Sequence, residues 1–543
     1  MEQQDLNKRL ILALALSFFV FVGYSYLFPP VPQAETPAQQ TEQTTAKTDA
    51  SPTAPAASKN TAAPVEKENV KETPQSTSNS KTLVTIRSNV FNMNIDELGR
   101  ISEYELLEKK YKDEDGKNLH IISPKEVKPL EIRFSDQKLN DEAFKTPYVL
   151  VEGKPSIDLD SGAKTIVLKQ TLSTVTVTKK ITIKPTGEYS LDVTTSVPVS
   201  YYITPGHRPM ADTSMYMLVR GALVVDADNV ALTVEDGKAE GTEVVKNAKF
   251  ASAFDRYAAS MFYNFKKGLN VSIVKQTDDN PLIFVEGEQH LHLGGYIGPK
   301  QYDILNAINP ELTNTIEFGF FTFLSRPFFK VLLWIESLVG NWGWSIILFT
   351  LLVKLILFPL SYKGMMSMQK LKDLAPKMKD LKEKYKGDPA KLNAQMMEMY
   401  KKNGANPMGG CLPMLLQIPV FFALYRVLLN ADELQGAPWI HGWIENLAIA
   451  DPYYILPVLM GVSMWFQQRI TPNNFTDPLQ EKIFQWFPVI MAGMFIIMPF
   501  PSGLVLYWVT NNLFTIGQQY VINNAYQKHK AAAIAAHKKG KDS

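Results

Sequence analysis

The chain has 543 residues, a net charge of +2 and 45% hydrophobic residues. This length exceeds that of one ordinary domain. The average charge and hydrophobic content conceal a polar first half and an apolar second half. The single cysteine, Cys411, excludes an internal disulfide framework and a cysteine-based zinc cluster, so a packed, inert thiol is its default role.

The N-terminal region begins with an apolar stretch. Residues 10–28 carry no charge and follow Lys8 and Arg9. The stretch is longer than the apolar part of most signal peptides and ends in aromatic residues and prolines. It predicts an uncleaved transmembrane anchor within residues 1–28, with a cleaved signal peptide as the alternative. Residues 29–81 contain no Leu, Ile or aromatic residue, which predicts a disordered periplasmic linker.

Residues 82–322 alternate apolar and polar side chains, as in "TIVLKQTLSTVTVTKKITIKP". Alternation with a period of two, interrupted by Gly, Pro and Asp turns, predicts a large antiparallel β domain of the sandwich type. Within it, the alternating residues Glu286, Glu288, His290 and His292 are expected on one face of a strand. A His-x-His pair can bind a metal, but a solvated polar face is the commoner cause, and we predict no metal site.

The second half contains five more apolar segments, at about 342–360, 411–429, 453–468, 483–500 and 504–521. With the anchor they predict six transmembrane helices, preceded by an interfacial amphipathic helix at 323–341 and forming a five-helix core at 342–522.

The orientation follows from the loop lysines. Residues 363–402 carry eleven Lys against five acids, whereas 431–451 has no Lys or Arg and four acids. The positive-inside rule places 363–402 and both termini, including the basic tail 523–543, in the cytoplasm. The β domain then lies in the periplasm of a bacterium, and the protein is a multi-pass protein of the inner membrane. Helical spacing broken at Gly387 predicts that 363–402 is a helical hairpin.

A lysine stands inside the predicted span 342–360, in "LLVKLILFPL". Lys354 costs about 2.5–3.5 kcal/mol at a membrane centre, and the predicted spans contain no acid to pair with it. Extension of the side chain to the interface is one explanation. We favour a water-filled, protein-enclosed groove that leaves the ammonium available to a carboxylate from outside the protein.

Other polar residues are predicted at membrane depths similar to that of Lys354. They are Thr350, Gln417, Thr510, Asn511 and Asn512. Singly, each is more commonly a hydrogen-bonding residue between helices. Together with Lys354 they indicate a hydrophilic groove that opens toward the cytoplasm.

Four stretches resemble the YidC family of membrane-protein insertases. They are "NPMGGCLPMLLQIPVFFALYRVL", "DPYYILPVLMGVSMWFQQ", "TDPLQEKIFQWFPVI" and "FPSGLVLYWVTNNLFTIGQQ". The resemblance implies a periplasmic β-supersandwich and a core that inserts and folds nascent inner-membrane proteins. It also implies a groove arginine, matched here by Lys354, and a groove-side aromatic pair, matched by Tyr507 and Trp508.

The resemblance also implies partners. They are nascent membrane-protein substrates, the Sec translocon with its accessory subunits, the ribosome and signal recognition particle pathway, and the phospholipid bilayer. The lysines of the tail and hairpin suit contact with ribosomal RNA by charge. No Walker nucleotide motif appears, so we expect ribosomal elongation, the membrane potential and partitioning into lipid to supply the energy. We predict a non-enzymatic insertase without a cofactor.

The sequence favours three other classes of protein less. A small-molecule or ion transporter, the main alternative, predicts internal repeats or acid–base relays within the membrane, and neither is visible. Intramembrane proteolysis is disfavoured because Ser345 lies about 13 Å along the helix from Lys354. An enzyme in the β domain rests on analogy with sugar-processing supersandwich proteins alone.

Overall fold

The architecture is that of a computed structural model. It describes residues 81–113, 115–160, 162–210, 219–385, 387–404, 412–471, 478–498 and 500–539. The predicted anchor at 10–28, nearly all of the predicted linker, and Cys411 lie outside the described residues.

The β domain contains eighteen strands among its described residues. In chain order they are β1 Thr82–Arg87, β2 Phe91–Asp96, β3 Ile101–Leu106, β4 Ile132–Phe134, β5 Val149–Glu152, β6 Ser156–Asp158, β7 Lys164–Thr171, β8 Thr176–Ile183, β9 Glu188–Thr195, β10 Tyr201–Ile203, β11 Gly221–Val225, β12 Ala231–Glu235, β13 Thr242–Ala248, β14 Phe250–Phe254, β15 Ala258–Tyr263, β16 Leu269–Lys275, β17 Pro281–Gly287 and β18 His290–Pro299.

These strands form three sheets. The largest has nine strands in the order β12-β11-β14-β15-β18-β9-β8-β7-β5, the second has five in the order β13-β16-β17-β10-β4, and the third has four in the order β3-β2-β1-β6. Pairing is antiparallel throughout except between β1 and β6. The alternation read from the sequence corresponds to burial, since β9 alternates half-buried and buried residues along its whole length. The predicted antiparallel β domain is therefore what these residues form.

One sequence expectation in this domain is wrong. Glu286 lies on β17 in the five-stranded sheet, whereas His290 and His292 lie on β18 in the nine-stranded sheet. The chain crosses between sheets at 288–289, so the four residues do not share one strand face. His292 Nδ1 lies 2.6 Å from the Asp192 carboxylate. Among the described residues, no group of three or more His, Cys, Asp or Glu side chains could hold a metal ion.

The helices follow the predicted apolar segments. In chain order they are α1 Gln137–Ala143, α2 Tyr302–Ile308, α3 Thr322–Val339, α4 Trp342–Ile356, α5 Phe358–Lys384, α6 Pro389–Lys402, α7 Leu412–Asn430, α8 Ile455–Ile470, α9 Pro478–Ile497 and α10 Ser502–Lys539. Helices α5 and α6 form the predicted hairpin, and their own small core contains Leu374 and Tyr400.

The predicted span at 342–360 is broken in two. Helix α4 ends at Ile356, and α5 begins at Phe358 with a bend of 66° between them. Pro359 occupies the first turn of α5, where its missing N–H is tolerated but would interrupt a continuous helix. Within the described part of the chain no single helix is both long and apolar enough to cross a membrane, although α4 and α5 together meet that test by length and composition.

The β domain and the helical core share one hydrophobic cluster. It joins Phe250 and Phe254 of β14 to Phe329 of α3 and to Leu424 and Val427 of α7. Polar contacts reinforce this junction at the end of α7 and in the loop that follows it. Tyr111 Oη donates to Asp432 at 2.5 Å, Lys110 Nζ to Asp432 at 2.9 Å, the Tyr302 amide to Glu433 at 2.8 Å, and Arg256 Nε to the Leu429 carbonyl at 2.7 Å. The β domain thus packs directly on the helices that carry the candidate site.

Candidate substrate groove

Lys354 lies in the last turn of α4, immediately before the break. A positive charge there faces the negative end of the helix dipole, which is a favourable position. Its ammonium donates to Thr515 Oγ1 at 2.8 Å and lies 3.5 Å from Gln417 Oε1. Among the described residues these neighbours are neutral, so the charge is solvated by side-chain dipoles.

Gln417 links α7 to α10. Its amide donates from Nε2 to Asn511 Oδ1 at 2.8 Å, while its Oε1 is turned toward Lys354. An amide has both donors and acceptors, so one side chain can satisfy a cation and a carbonyl at once. Lys354, Gln417 and Asn511, which the sequence singled out, are therefore brought into one network.

Thr515 and Gln518 were missed by sequence reasoning. Thr515 Oγ1 accepts from Lys354 and donates to the Asn511 carbonyl at 2.7 Å, and Gln518 Nε2 donates to the Lys354 backbone carbonyl at 3.3 Å. Thr515 lies four residues after Asn511, and this helical spacing was the available signal. Helix α10 thus contacts both the side chain and the backbone of Lys354.

Thr350 and Asn512 are less directly involved. Thr350 is buried, and its hydroxyl donates to the Ile346 carbonyl of its own helix at 2.7 Å. Asn512 is buried on a different side of α10, where it donates to Ser463 Oγ of α8 at 3.1 Å. Thr350 lines the space beside Lys354, whereas Asn512 joins α10 to α8.

Two cavities adjoin this network. The smaller, of about 20 Å³, is bordered by Thr350, Lys354, Gln417, Tyr507 and Asn511. It has room for one water molecule and several polar partners for it.

The larger cavity has a volume of about 450 Å³ and lies between α5, α7, α8, α9 and α10. Its polar lining residues are Gln417, Gln467, Gln468, Thr471, Asn511, Asn512, Thr515 and Gln519. Its apolar lining residues are Met365, Met368, Ile418, Phe421, Phe422, Met464, Phe484, Phe487, Tyr507 and Trp508. A cavity with both kinds of lining can accept a chain segment that carries both polar and apolar groups.

The aromatic pair, Tyr507 and Trp508, belongs to the lining of the larger cavity. Tyr507 is buried and stacks on Phe421, with ring centroids 6.2 Å apart. Trp508 meets Phe421 edge-on at 5.0 Å and Phe495 at 5.4 Å. Aromatic contacts of this kind favour fixed positions of the Tyr507 and Trp508 rings beside the cavity.

Two parts of the chain match known protein families. Residues 83–331 match the YidC periplasmic domain family, and residues 334–530 match the family described as 60Kd inner membrane protein. The membrane protein insertase YidC of Campylobacter jejuni is 46% identical over 97% of this chain and 98% of its own length. That of Helicobacter pylori strain 26695 is 42% identical over 98% of both chains.

Among solved structures, a crystal structure of an active YidC insertase with its first transmembrane domain resolved is 18% identical. It covers 82% of this chain and 95% of its own, with a TM-score of 0.36, which is too weak a likeness to define the fold. The sequence relationships, which extend over nearly the full length, decide the assignment: this chain belongs to the YidC family of membrane protein insertases.

Proposed function

We propose that this chain inserts and folds nascent inner-membrane proteins by receiving their polar segments in the groove around Lys354. The observation that carries the proposal is a cation held by Thr515 and Gln417 beside a cavity of about 450 Å³ that is lined by both polar and apolar side chains. A substrate carboxylate would supply the missing counter-charge. The polar lining residues would solvate the segment while it is drawn into the membrane.

We assign the release of the substrate's transmembrane segment into lipid to the apolar faces of α7 and α9. Ile418 and Phe422 of α7 and Phe487 of α9 line the cavity and are each about two-fifths exposed. A transmembrane segment that leaves the groove would exchange contacts with these side chains for contacts with lipid. Ribosomal elongation, the membrane potential and partitioning into lipid supply the energy.

A lysine in this position has specific consequences. An arginine fork could bind a carboxylate through two parallel hydrogen bonds, whereas the lysine ammonium is a point charge on a flexible stem. Thr515 and Gln417 restrict that stem. We expect the site to attract negative charge without demanding one carboxylate geometry.

The remaining parts of the proposal concern topology and partners. Six spans, cytoplasmic termini and the predicted domain limits follow from the loop charges and apolar segments. Cooperation with the Sec translocon, the ribosome and the signal recognition particle pathway follows from family membership. The α5–α6 hairpin and the basic tail are the proposed ribosome contacts.

The test compares wild type with Lys354→Ala, Lys354→Arg and Lys354→Glu in cells depleted of their own insertase. Protease protection of a single-span client with an acidic translocated tail is scored beside a client whose tail is neutral. We expect Ala and Glu to block the acidic client, Arg to restore it, and the neutral client to be little affected. Lys330→Ala, at an exposed lysine of α3 outside the proposed ribosome contacts, is the matched control. Equal insertion of the acidic client by all variants would overturn the charge-receptor role.

A further inference from the structure

Helix α10 continues well past the groove. It comprises 38 residues, or about 57 Å at 1.5 Å per residue. A bilayer core of about 30 Å requires about 20 residues, so roughly the second half of α10 extends beyond it on the cytoplasmic side of the proposed topology.

This extension packs against the first arm of the hairpin. Gln369 of α5 donates to Asn523, and four residues later the Asp373 carboxylate accepts from both Tyr526 Oη at 2.8 Å and Lys530 Nζ at 2.7 Å. Asn523 is also held by Gln519 of its own helix at 2.9 Å. Successive turns of the two helices are therefore paired by polar side chains.

The contacts have a consistent register. On α10, residues 519, 523, 526 and 530 follow each other at intervals of four, three and four, which places them on one helix face. On α5, residues 369 and 373 are one turn apart. Two donors separated by a turn converge on one carboxylate, so the contact resists both sliding and rotation of one helix along the other.

The position of α5 bears directly on the groove. The helix starts at the 66° break next to Lys354, and its Met365 and Met368 line the large cavity. The hairpin core around Leu374 and Tyr400 is separate from the cluster that holds the other helices, so it fixes α5 to α6 and not to the membrane core. Contacts with α10 are then required to hold the far part of α5 at a fixed angle.

We infer that the cytoplasmic extension of α10 is a brace that sets the angle of α5 at the mouth of the groove, with Asp373 as its positioning residue. The inference deepens the proposed groove and rests on it, because the mouth is that of the same cavity. Loss of the brace would let α5 pivot at Leu357 and displace the methionine side of the cavity. Insertion would then slow for all clients, whatever the charge of their tails.

The test uses the full chain in native membranes, with Cys411→Ser as background. A Gln369→Cys and Asn523→Cys pair reports the approach of α5 to α10 through its rate of disulfide formation under a mild oxidant. Insertion of a client with a neutral tail is measured in parallel in variants that lack the cysteine pair. Since this client is not expected to depend on Lys354, failure of the brace is distinguishable from failure of the charge receptor.

The variants are Asp373→Lys alone, Asp373→Lys combined with Lys530→Asp, and Asp380→Lys. Asp380 is a matched control because it is exposed on the same helix, and among the described residues no hydrogen bond or ion pair involves it. We expect Asp373→Lys to lower the rate of disulfide formation and the rate of client insertion about threefold each. A partly exposed charge pair can account for a factor of this size. The double reversal should restore both, and Asp380→Lys should change neither.

Three results would overturn the inference. They are an unchanged disulfide rate in Asp373→Lys, a lowered disulfide rate with normal insertion, and a double reversal that accumulates normally but restores neither rate. Tyr526→Phe provides a second variant if Asp373→Lys fails to accumulate, since it removes a single hydroxyl. This variant should lower the rates of disulfide formation and client insertion by a smaller factor. If it changes neither rate, the result counts against the brace.

Discussion

The Tyr111 hydroxyl donates a 2.5 Å hydrogen bond to the Asp432 carboxylate, across 321 residues of sequence. Both side chains are buried, with Tyr111 1% exposed and Asp432 fully enclosed. Lys110 supplies the neutralising charge at 2.9 Å. This small cluster fastens the periplasmic domain to the loop that follows α7.

Tyr111→Phe should weaken this junction. A buried hydrogen bond to a charged group contributes about 1.5–3 kcal/mol, and its loss leaves the carboxylate with fewer partners. We expect a loss of that size in the free energy of unfolding, measured by denaturant titration of the protein in lipid nanodiscs. Tyr453→Phe, at a tyrosine that is 63% exposed, is the control. Equal behaviour of the two variants would contradict a stabilising role for the Tyr111 bond.

Glu433 should make stability depend on pH. Burial, and then repulsion from Asp432, raises the pKa of Glu433 to about 7 from an ordinary value of 4.5. The folded protein therefore holds this proton more tightly than the unfolded chain does. The contribution of Glu433 is full below pH 4.5 and is lost as the pH rises through about 7.

The measurement is the thermal unfolding midpoint of wild type and Glu433→Gln at about pH 5 and about pH 8, which bracket this window. Glu433→Gln should gain stability relative to wild type at the higher pH and little at the lower. Groups that do not interact with Glu433 titrate equally in both proteins, so the difference between them reports Glu433 together with its repulsion from Asp432. A difference that does not change with pH would rule out this titration.

Burial shifts the pKa of Lys179 in the opposite direction to that of Glu433. It is fully buried and donates to the Gly99 carbonyl at 2.9 Å and to the Leu130 carbonyl at 2.7 Å. Burial lowers the pKa of Lys179 to about 7, so its contribution to stability rises with pH between about 7 and its ordinary value of 10.5.

Lys179→Met should nevertheless destabilise the β domain, because each buried carbonyl left unpaired costs about 1–3 kcal/mol. Denaturant unfolding checks this, with Lys180→Met as control, since Lys180 is the exposed next residue on the opposite strand face. A Lys179→Met variant as stable as the control would mean that relief of the buried charge offsets the lost hydrogen bonds.

Thr515 should matter to clients with acidic tails. Thr515→Val keeps the shape but removes the oxygen that accepts from Lys354, so the ammonium is less well placed. We expect slower insertion of the acidic-tail client by Thr515→Val and near-normal insertion by Thr515→Ser, measured by protease protection. Similar losses in both variants would point to packing instead of the hydroxyl.

Local patterns in the sequence predicted much of this molecule. Alternation predicted the β domain, and the single charge in an apolar run drew attention to Lys354. The break at Leu357 was not predicted, although Pro359 was visible, because transmembrane helices often tolerate proline. Thr515 was missed because one threonine in an apolar helix looks like ordinary interhelical hydrogen bonding.

Long-range features had no local signal. Asp432 and Tyr111 are each unremarkable in their own segments, and only the fold brings them together. The error at Glu286 and His290 has the same origin, since a regular alternation of polar residues passed unbroken through a crossing between two sheets. The period of a sequence pattern indicates which residues share a face of a strand. It does not indicate where the strand ends and the chain crosses to another sheet.

The distance in sequence between Tyr111 and Asp432 also has a consequence for biosynthesis. At about 5–20 residues per second, the ribosome needs roughly 16 to 64 s to make the 321 residues that separate them. For the later part of that interval, after β14 has been made, the face of β14 that carries Phe250 and Phe254 awaits α7. The unfinished chain therefore carries an apolar surface that is covered only when α7 has been made.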